Sequence, residues 1–195
     1  MVDGRSWSTD RLRLVPIGPE HVDDLVALHA DEAVAAWHGG PWSVADARRR
    51  AEWARERWRE VGVDKWMAYH REDGSLVGRG GVSLQIVDGI ERLEAGWTVV
   101  SNLWGRGYAS EIGRAGLDFA FTELAADEVV AFTEPDNQRS RAVMHRLGMR
   151  YVKRITHRGL EKVLYASSAA DTAPGRGGQS TSAASDRWRD GAPGR

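Results

Sequence analysis

No cysteine occurs among the 195 residues, which removes disulfide scaffolds, thiolate nucleophiles and cysteine metal sites together. Neither sign of charge is in surplus: 27 basic residues stand against 28 acidic ones, for a net charge of −1. No global field therefore draws the chain to nucleic acid or to an anionic membrane. Long apolar runs are missing too, none approaching the roughly 18 residues of a spanning helix. The opening MVDGRSWSTDRLRL has no basic segment followed by an apolar stretch of the kind that directs secretion. None of the six histidines has a partner at HxxxH spacing, so no metal site is expected. These absences describe a cytoplasmic protein that handles any charged ligand with local groups.

What is present suffices for one core: 42% of the residues are hydrophobic and nine are tryptophan. Residues 1–10 read as an N-terminal extension and 11–166 as the folded domain. From 167 to 195 the chain is mostly Gly, Ala, Ser, Pro and Arg, with Trp188 its one large apolar residue. Such a segment cannot offset its ordering entropy by burial and is expected to be disordered.

Within the domain, RLRLVPI alternates as a strand, and PEHVDDLVALHADEAVAAW reads as a helix with Pro19 in its first turn. HGGPW is a turn, and Ser43 with Asp46 caps a second helix through Trp58. KWMAYH, LVGRGGVSLQIV and ERLEAGWTVV, separated by turn residues, predict a three-stranded antiparallel meander. A helix over 108–124, the strand EVVAF, a helix capped by Asp136 or Asn137 and closed by Gly148, and the strands YVKRI and EKVLYA complete the order. The expected class is α/β in the α+β sense.

The segment WGRGYAS links the meander to the helix at 108. Its glycines let successive N–H groups converge on an anion at the helix's positive end, or else merely permit a tight connection. A P-loop would need a lysine that is missing here. A dinucleotide fingerprint would need a third glycine at Ser110 and an opening parallel βαβ unit, whereas this strand closes an antiparallel meander.

EAGWTVVSNLWGRGYASE, from Glu94 to Glu111, and TEPDNQRSRAVMHRLGMRYV together resemble the GNAT superfamily of acetyl-coenzyme A-dependent N-acetyltransferases. Within it they resemble the branch of ribosomal-protein N-terminal acetyltransferases, the RimJ/RimL type. Trp104 stands where many members carry Gln or Arg. The resemblance covers 11–166. It implies a GNAT fold: a mixed, mostly antiparallel sheet of about seven strands with a splayed parallel pair, flanked by about four helices.

It also implies acetyl-coenzyme A as cosubstrate, with no metal. Gly105, Arg106, Gly107, Tyr108 and Ala109 would bind the pyrophosphate, and Asn137 the pantetheine amides. The backbone N–H of Thr98 or Val99 would polarise the thioester carbonyl. Acetyl transfer needs a neutral amine, donors for the oxyanion and an acid for the thiolate. Glu94 is the first candidate for the base, with Glu161 and His157 as alternatives. Many relatives place a tyrosine acid seven residues after Asn137, where this chain has Met144. Ser140 is the remaining candidate to donate to the sulfur, or it serves the helix start. Arg139 and Arg141 either reach a phosphate or are solvated. Trp37, His38 and Trp42, with Glu94 and Trp97, are the expected walls of the acceptor pocket. Trp53, Trp58 and Trp66 read as core or cover.

The resulting expectation is an acetyltransferase acting on a protein N-terminus or a small-molecule amine, as monomer or homodimer, with no nucleic-acid or membrane partner. A binding module that senses acyl-coenzyme A without turnover is the alternative.

Overall fold

A computed structural model describes residues 6–172. Eight strands form one sheet in the order β1-β2-β3-β4-β5-β6-β8-β7. They are β1 (Trp7–Ser8), β2 (Leu12–Pro16), β3 (Trp66–His70), β4 (Leu76–Val87), β5 (Ile90–Val99), β6 (Glu128–Thr133), β7 (Arg150–His157) and β8 (Leu160–Ser168). Four helices of nine residues or more pack around it: α1 (Val22–Ala30), α3 (Val44–Glu60), α4 (Tyr108–Thr122) and α5 (Gln138–Arg146). Two short segments, α2 (Glu32–Ala35) and α6 (Ala169–Thr172), complete the set. Among the described residues no helix is long and apolar enough to cross a membrane.

The eighth strand lies in the segment read as an extension: Trp7 and Ser8 pair antiparallel with β2, and Trp7 packs edge-on against Phe119. At the other end, Ser167 and Ser168 finish β8 and Ala169–Thr172 add a helical turn. The rest of the expected disordered tail, 173–195, lies outside the described residues. The helix expected over 19–37 is broken at Asp31, whose extended backbone (ψ 113°) frees its carboxylate to cap α2 through the Ala33 and Val34 amides. Its other oxygen accepts from Ser101 N–H at 2.7 Å, which pins this corner to the end of β5. Asn137, not Asp136, caps α5, its Oδ1 accepting from Ser140 N–H.

All neighbouring strands are antiparallel except β5 and β6, which register in parallel only at Glu94 and Val130. Beyond that point the two strands separate. Helix α4 buries Ile112, Ala115, Gly116, Phe119 and Ala120 against β4 and β5, one face at helical spacing. The approach is so close that a Cβ on Gly116 would sit 2.9 Å from Gly81 Cα. Trp58, Trp66 and Phe119 form the aromatic centre of the core, with ring centroids 5.1 to 6.1 Å apart. Trp53 instead keeps 41% of its surface exposed and carries the Arg50 guanidinium on its ring.

Candidate active site

The gap between β5 and β6 opens into a cleft of about 1170 Å³ that runs from the glycine turn, past Thr98 and Val99, to the α2–α3 connection. At one end, Gly105 (φ 78°) and Gly107 (φ 86°) adopt left-handed backbone, which side chains resist. Gly107 is the N-cap of α4 and offers no side-chain acceptor, so the first amides of that helix have no capping partner. A Cβ at 105 would meet nothing, and one at 107 only Arg11 Nη2 at 3.5 Å.

The loop is held from outside. Glu111 accepts from Thr9 Oγ1 at 2.5 Å, from Arg11 N–H at 3.1 Å and from Arg11 Nε at 2.7 Å. Arg11 Nη1 then donates to the carbonyl of Arg106 at 3.1 Å, and its guanidinium covers the Tyr108 ring. From the strand side, Trp104 Nε1 donates to Val99 O at 2.7 Å, while Arg139 lies over the Trp104 ring. Because Val100 N–H bonds back to Val77 O on β4, strand alternation turns the N–H and C=O of Val99 the other way, into the gap.

The other end of the cleft is lined by charge and aromatic rings. Lys65 Nζ donates to Gly81 O (3.1 Å), Glu94 O (2.9 Å) and Glu94 Oε2 (2.7 Å). Both side chains are nearly buried. Burial pushes the Lys65 ammonium below the usual lysine value, against the opposing pull of Glu94 and Asp64. Asp64, fully buried, accepts from Arg50 Nη2 at 2.5 Å. Lys162 pairs with Glu134 across the same cleft.

Beyond them His29 stacks on Trp42 at 3.6 Å, meets His38 edge-on at 5.0 Å, and accepts from Arg79 Nε at 3.2 Å. His38 Nε2 is 3.1 Å from Thr98 Oγ1. Burial first, then the charge of Arg79, lowers His29 to about 3 and His38 to about 4. Both rings are neutral in the physiological range.

Of the residues expected at the site, Trp37, His38, Trp42, Glu94, Trp97, Thr98, Val99, Gly105, Gly107, Tyr108, Ala109, Asn137 and Ser140 all border this one cleft, as do Met144 and His157. Three residues stand apart from it. Arg106 contributes its carbonyl to the Arg11 contact. Arg141 ties α5 to Pro135 O and the Tyr165 hydroxyl. Glu161 pairs with Arg154 on the exposed β7–β8 hairpin. Sequence reasoning missed Lys65, Arg79, Arg50, Glu134 and Lys162. For all but Arg50 the signal was a charge inside an apolar strand or beside one, as in LVGRGGV; Arg50 lies among the other charges of α3 and carried no such signal.

A mixed sheet splayed beside a glycine turn that opens a helix is the arrangement that the resemblance to N-acetyltransferases implied. Residues 11–150 match the family of the Acetyltransferase (GNAT) domain, and the chain belongs to that family. It is 30% identical over 148 residues to the Bacillus subtilis (strain 168) protein YkkB, covering 75% of this chain and 86% of that one. It is 31% identical over 154 residues to the Aspergillus fumigatus FsC-acetyl coenzyme A-N(2)-transacetylase, covering 74% of this chain and 65% of the relative. Among solved structures, an acetyltransferase from Agrobacterium tumefaciens str. C58 matches with a TM-score of 0.72 at 25% identity, over 83% of this chain and 93% of the other. The protein is an acetyltransferase of the GNAT family.

Proposed function

We propose that the protein transfers the acetyl group of acetyl-coenzyme A to a primary amine by direct attack in a ternary complex, the acceptor being a protein N-terminus or a small-molecule amine. The observation that carries this reading is the single-residue pairing of β5 with β6 followed by their separation, with the Val99 amide turned into the gap. The residues present fit the coenzyme. The uncapped start of α4 and the side-chain-free glycines suit a pyrophosphate, the amide nitrogen of Asn137 remains available for a pantetheine carbonyl, and Arg139 faces the same end. The bound coenzyme supplies an acetyl thioester.

Val99 N–H is then the donor for the carbonyl oxygen as negative charge develops on it. Thr98, whose alternation is opposite, contributes its hydroxyl and its contact with His38. Glu94 receives the proton of the acceptor ammonium through Oε1, the oxygen that Lys65 does not hold. Ser140 presents its hydroxyl to the cleft while its amide is occupied by Asn137, so it serves as donor to the departing sulfur. Coenzyme A thiolate leaves well enough for that donation to be a modest aid.

The rival reading, a sensor of acyl-coenzyme A, draws on the buried Met144 at the position where a tyrosine acid would stand. Thiol release over a panel of amines, with mass detection of acetylated products, decides between them. Release with an acetylated product supports transfer, and stabilisation by acetyl-coenzyme A without release from any amine overturns it in favour of the sensor.

A further inference from the structure

Arg79 is the one charged residue in LVGRGGVSL, on a strand hydrogen-bonded on both sides, to β3 and to β5. A cation at such a position is costly unless it is compensated. The compensation visible here is incomplete. Its Nε donates to His29, a neutral ring that brings no negative charge. Its guanidinium lies over the Trp42 ring at 5.2 Å, and no carboxylate of the described residues is ion-paired with it. The two nearby carboxylates are already engaged, Asp64 by Arg50 and Glu94 by Lys65. With the Lys162–Glu134 pair included, four cations therefore share three anions at this end of the cleft. The buried Nη1 of Arg50 has no hydrogen-bond partner, and burial together with the charge of Arg50 pushes Arg79 down to about 10. It remains a cation at neutral pH, and both guanidiniums border the cleft.

Arg79 also stands opposite Thr98 in the β4–β5 register, one residue from the amide that faces the gap. An anion held here would sit beside the reacting amine, at the opposite end from the glycine turn. On the transferase reading given above, we propose that the acceptor carries a carboxylate close to its amine, and that Arg79, with Arg50 beside it, binds that carboxylate. The planar guanidinium fork suits a carboxylate, and the neutral Trp42–His29–His38 wall adds no negative charge of its own against the cation.

The test compares matched pairs, each standard amino acid and short ω-amino acid against its own primary carboxamide, titrated calorimetrically into the coenzyme A-loaded protein. At least one acid should bind roughly 10- to 150-fold more tightly than its amide, the range of a hydrogen bond to a charged group. Arg79→Gln should bring the two members of that pair to within about threefold of each other. Arg79→Lys keeps the buried charge, should fold even where Gln does not, and should weaken the acid while leaving the amide unchanged. Equal binding of acid and amide by the wild type, no binding by any acid, or discrimination that survives in Arg79→Gln and Arg79→Lys would overturn the proposal. Thiol release is followed over the same panel. Discrimination in binding without release from any amine would sink the transfer reading and leave the carboxylate site standing.

Discussion

The two ends of the cleft are built in different ways. The glycine-turn end presents backbone: two left-handed glycines, the uncapped start of α4 and the Val99 amide. Side chains such as Arg11, Glu111 and Trp104 act on it from outside, by fixing carbonyls and the loop. The end proposed for the acceptor presents side chains: the pairs Lys65–Glu94, Arg50–Asp64 and Lys162–Glu134, and the Trp42–His29–His38 stack. Backbone donors read a part common to every molecule of a cosubstrate. Side-chain charges are free to differ with the acceptor, and that division lets one fold serve many amines.

The contrast is broken most severely at Gly107. Gly107→Val places a branched side chain where φ is 86° and where, on the proposed reading, the phosphate approaches. The strain should cost about 1–3 kcal/mol of stability and the stabilisation by coenzyme A in a thermal melt should disappear. A mutant shift equal to that of the wild type would place the ligand elsewhere. Next in size, Glu94→Gln should lower kcat/KM about 10²- to 10⁴-fold at pH values below the pKa of the acceptor amine, with coenzyme affinity unchanged. The deficit should shrink as pH rises and neutral amine becomes plentiful. The substitution also leaves Lys65 buried without its counter-charge, which typically costs about 3–5 kcal/mol, although an ammonium already pushed down by burial has the option of releasing its proton. A fall in melting temperature with no pH-dependent rate deficit would make Glu94 a structural partner of Lys65 and no base.

A smaller effect separates support from contact. Arg11 touches the loop only through the Arg106 carbonyl, the Tyr108 ring and Glu111. Arg11→Ala removes all three of these contacts, but they are exposed and reach the cleft only through the loop, so it should raise KM for acetyl-coenzyme A by about tenfold or less and leave kcat alone. A matching fall in kcat would mean that the clamp also sets the thioester's position.

The same division explains what could be read from the sequence. The order of elements was legible because strand alternation, helical spacing and turn glycines are local. So was the glycine turn that opens α4, since glycine spacing and a helix start are properties of a few consecutive residues. The break at Asp31 was not legible: one carboxylate oxygen makes a local cap to the Ala33 amide, but the other accepts from Ser101, 70 residues away, which only the fold brings near. Strand β1 was missed because two residues carry no periodicity and Trp7 is justified only by Phe119. Lys65 and Arg79 were passed over because a charge in an apolar strand reads as an interruption until its cavity is known. Glu161 drew attention beside a hairpin turn, but the register of β7 with β8 sets it opposite Thr156, and its carboxylate pairs diagonally with Arg154 on the exposed hairpin.

The smallest predicted effect concerns the stack at the acceptor end. His29 is fully buried and held at about 3, far below the ordinary 6.5, by burial first and then by Arg79 and His38. A histidine with a depressed folded-state value stays neutral in the native protein while the unfolded chain takes up a proton. Its contribution to stability is therefore complete above about pH 6.5 and is lost as pH falls toward 3. His38 is open to the cleft by surface area, so solvent screening makes its share smaller. His29→Gln keeps an acceptor for Arg79 but gives up the stack on Trp42, an aromatic contact of about 0.5–1.5 kcal/mol, so it should melt below the wild type at pH 8. Gln cannot titrate, and carboxylates elsewhere destabilise both proteins alike in acid. The gap between the two melting temperatures should therefore narrow below pH 6.5, close, and reverse before pH 4. A gap that stays constant over that interval would show that His29 is protonated as readily in the folded protein as in the unfolded chain, and that Arg79 exerts no hold on the wall it touches.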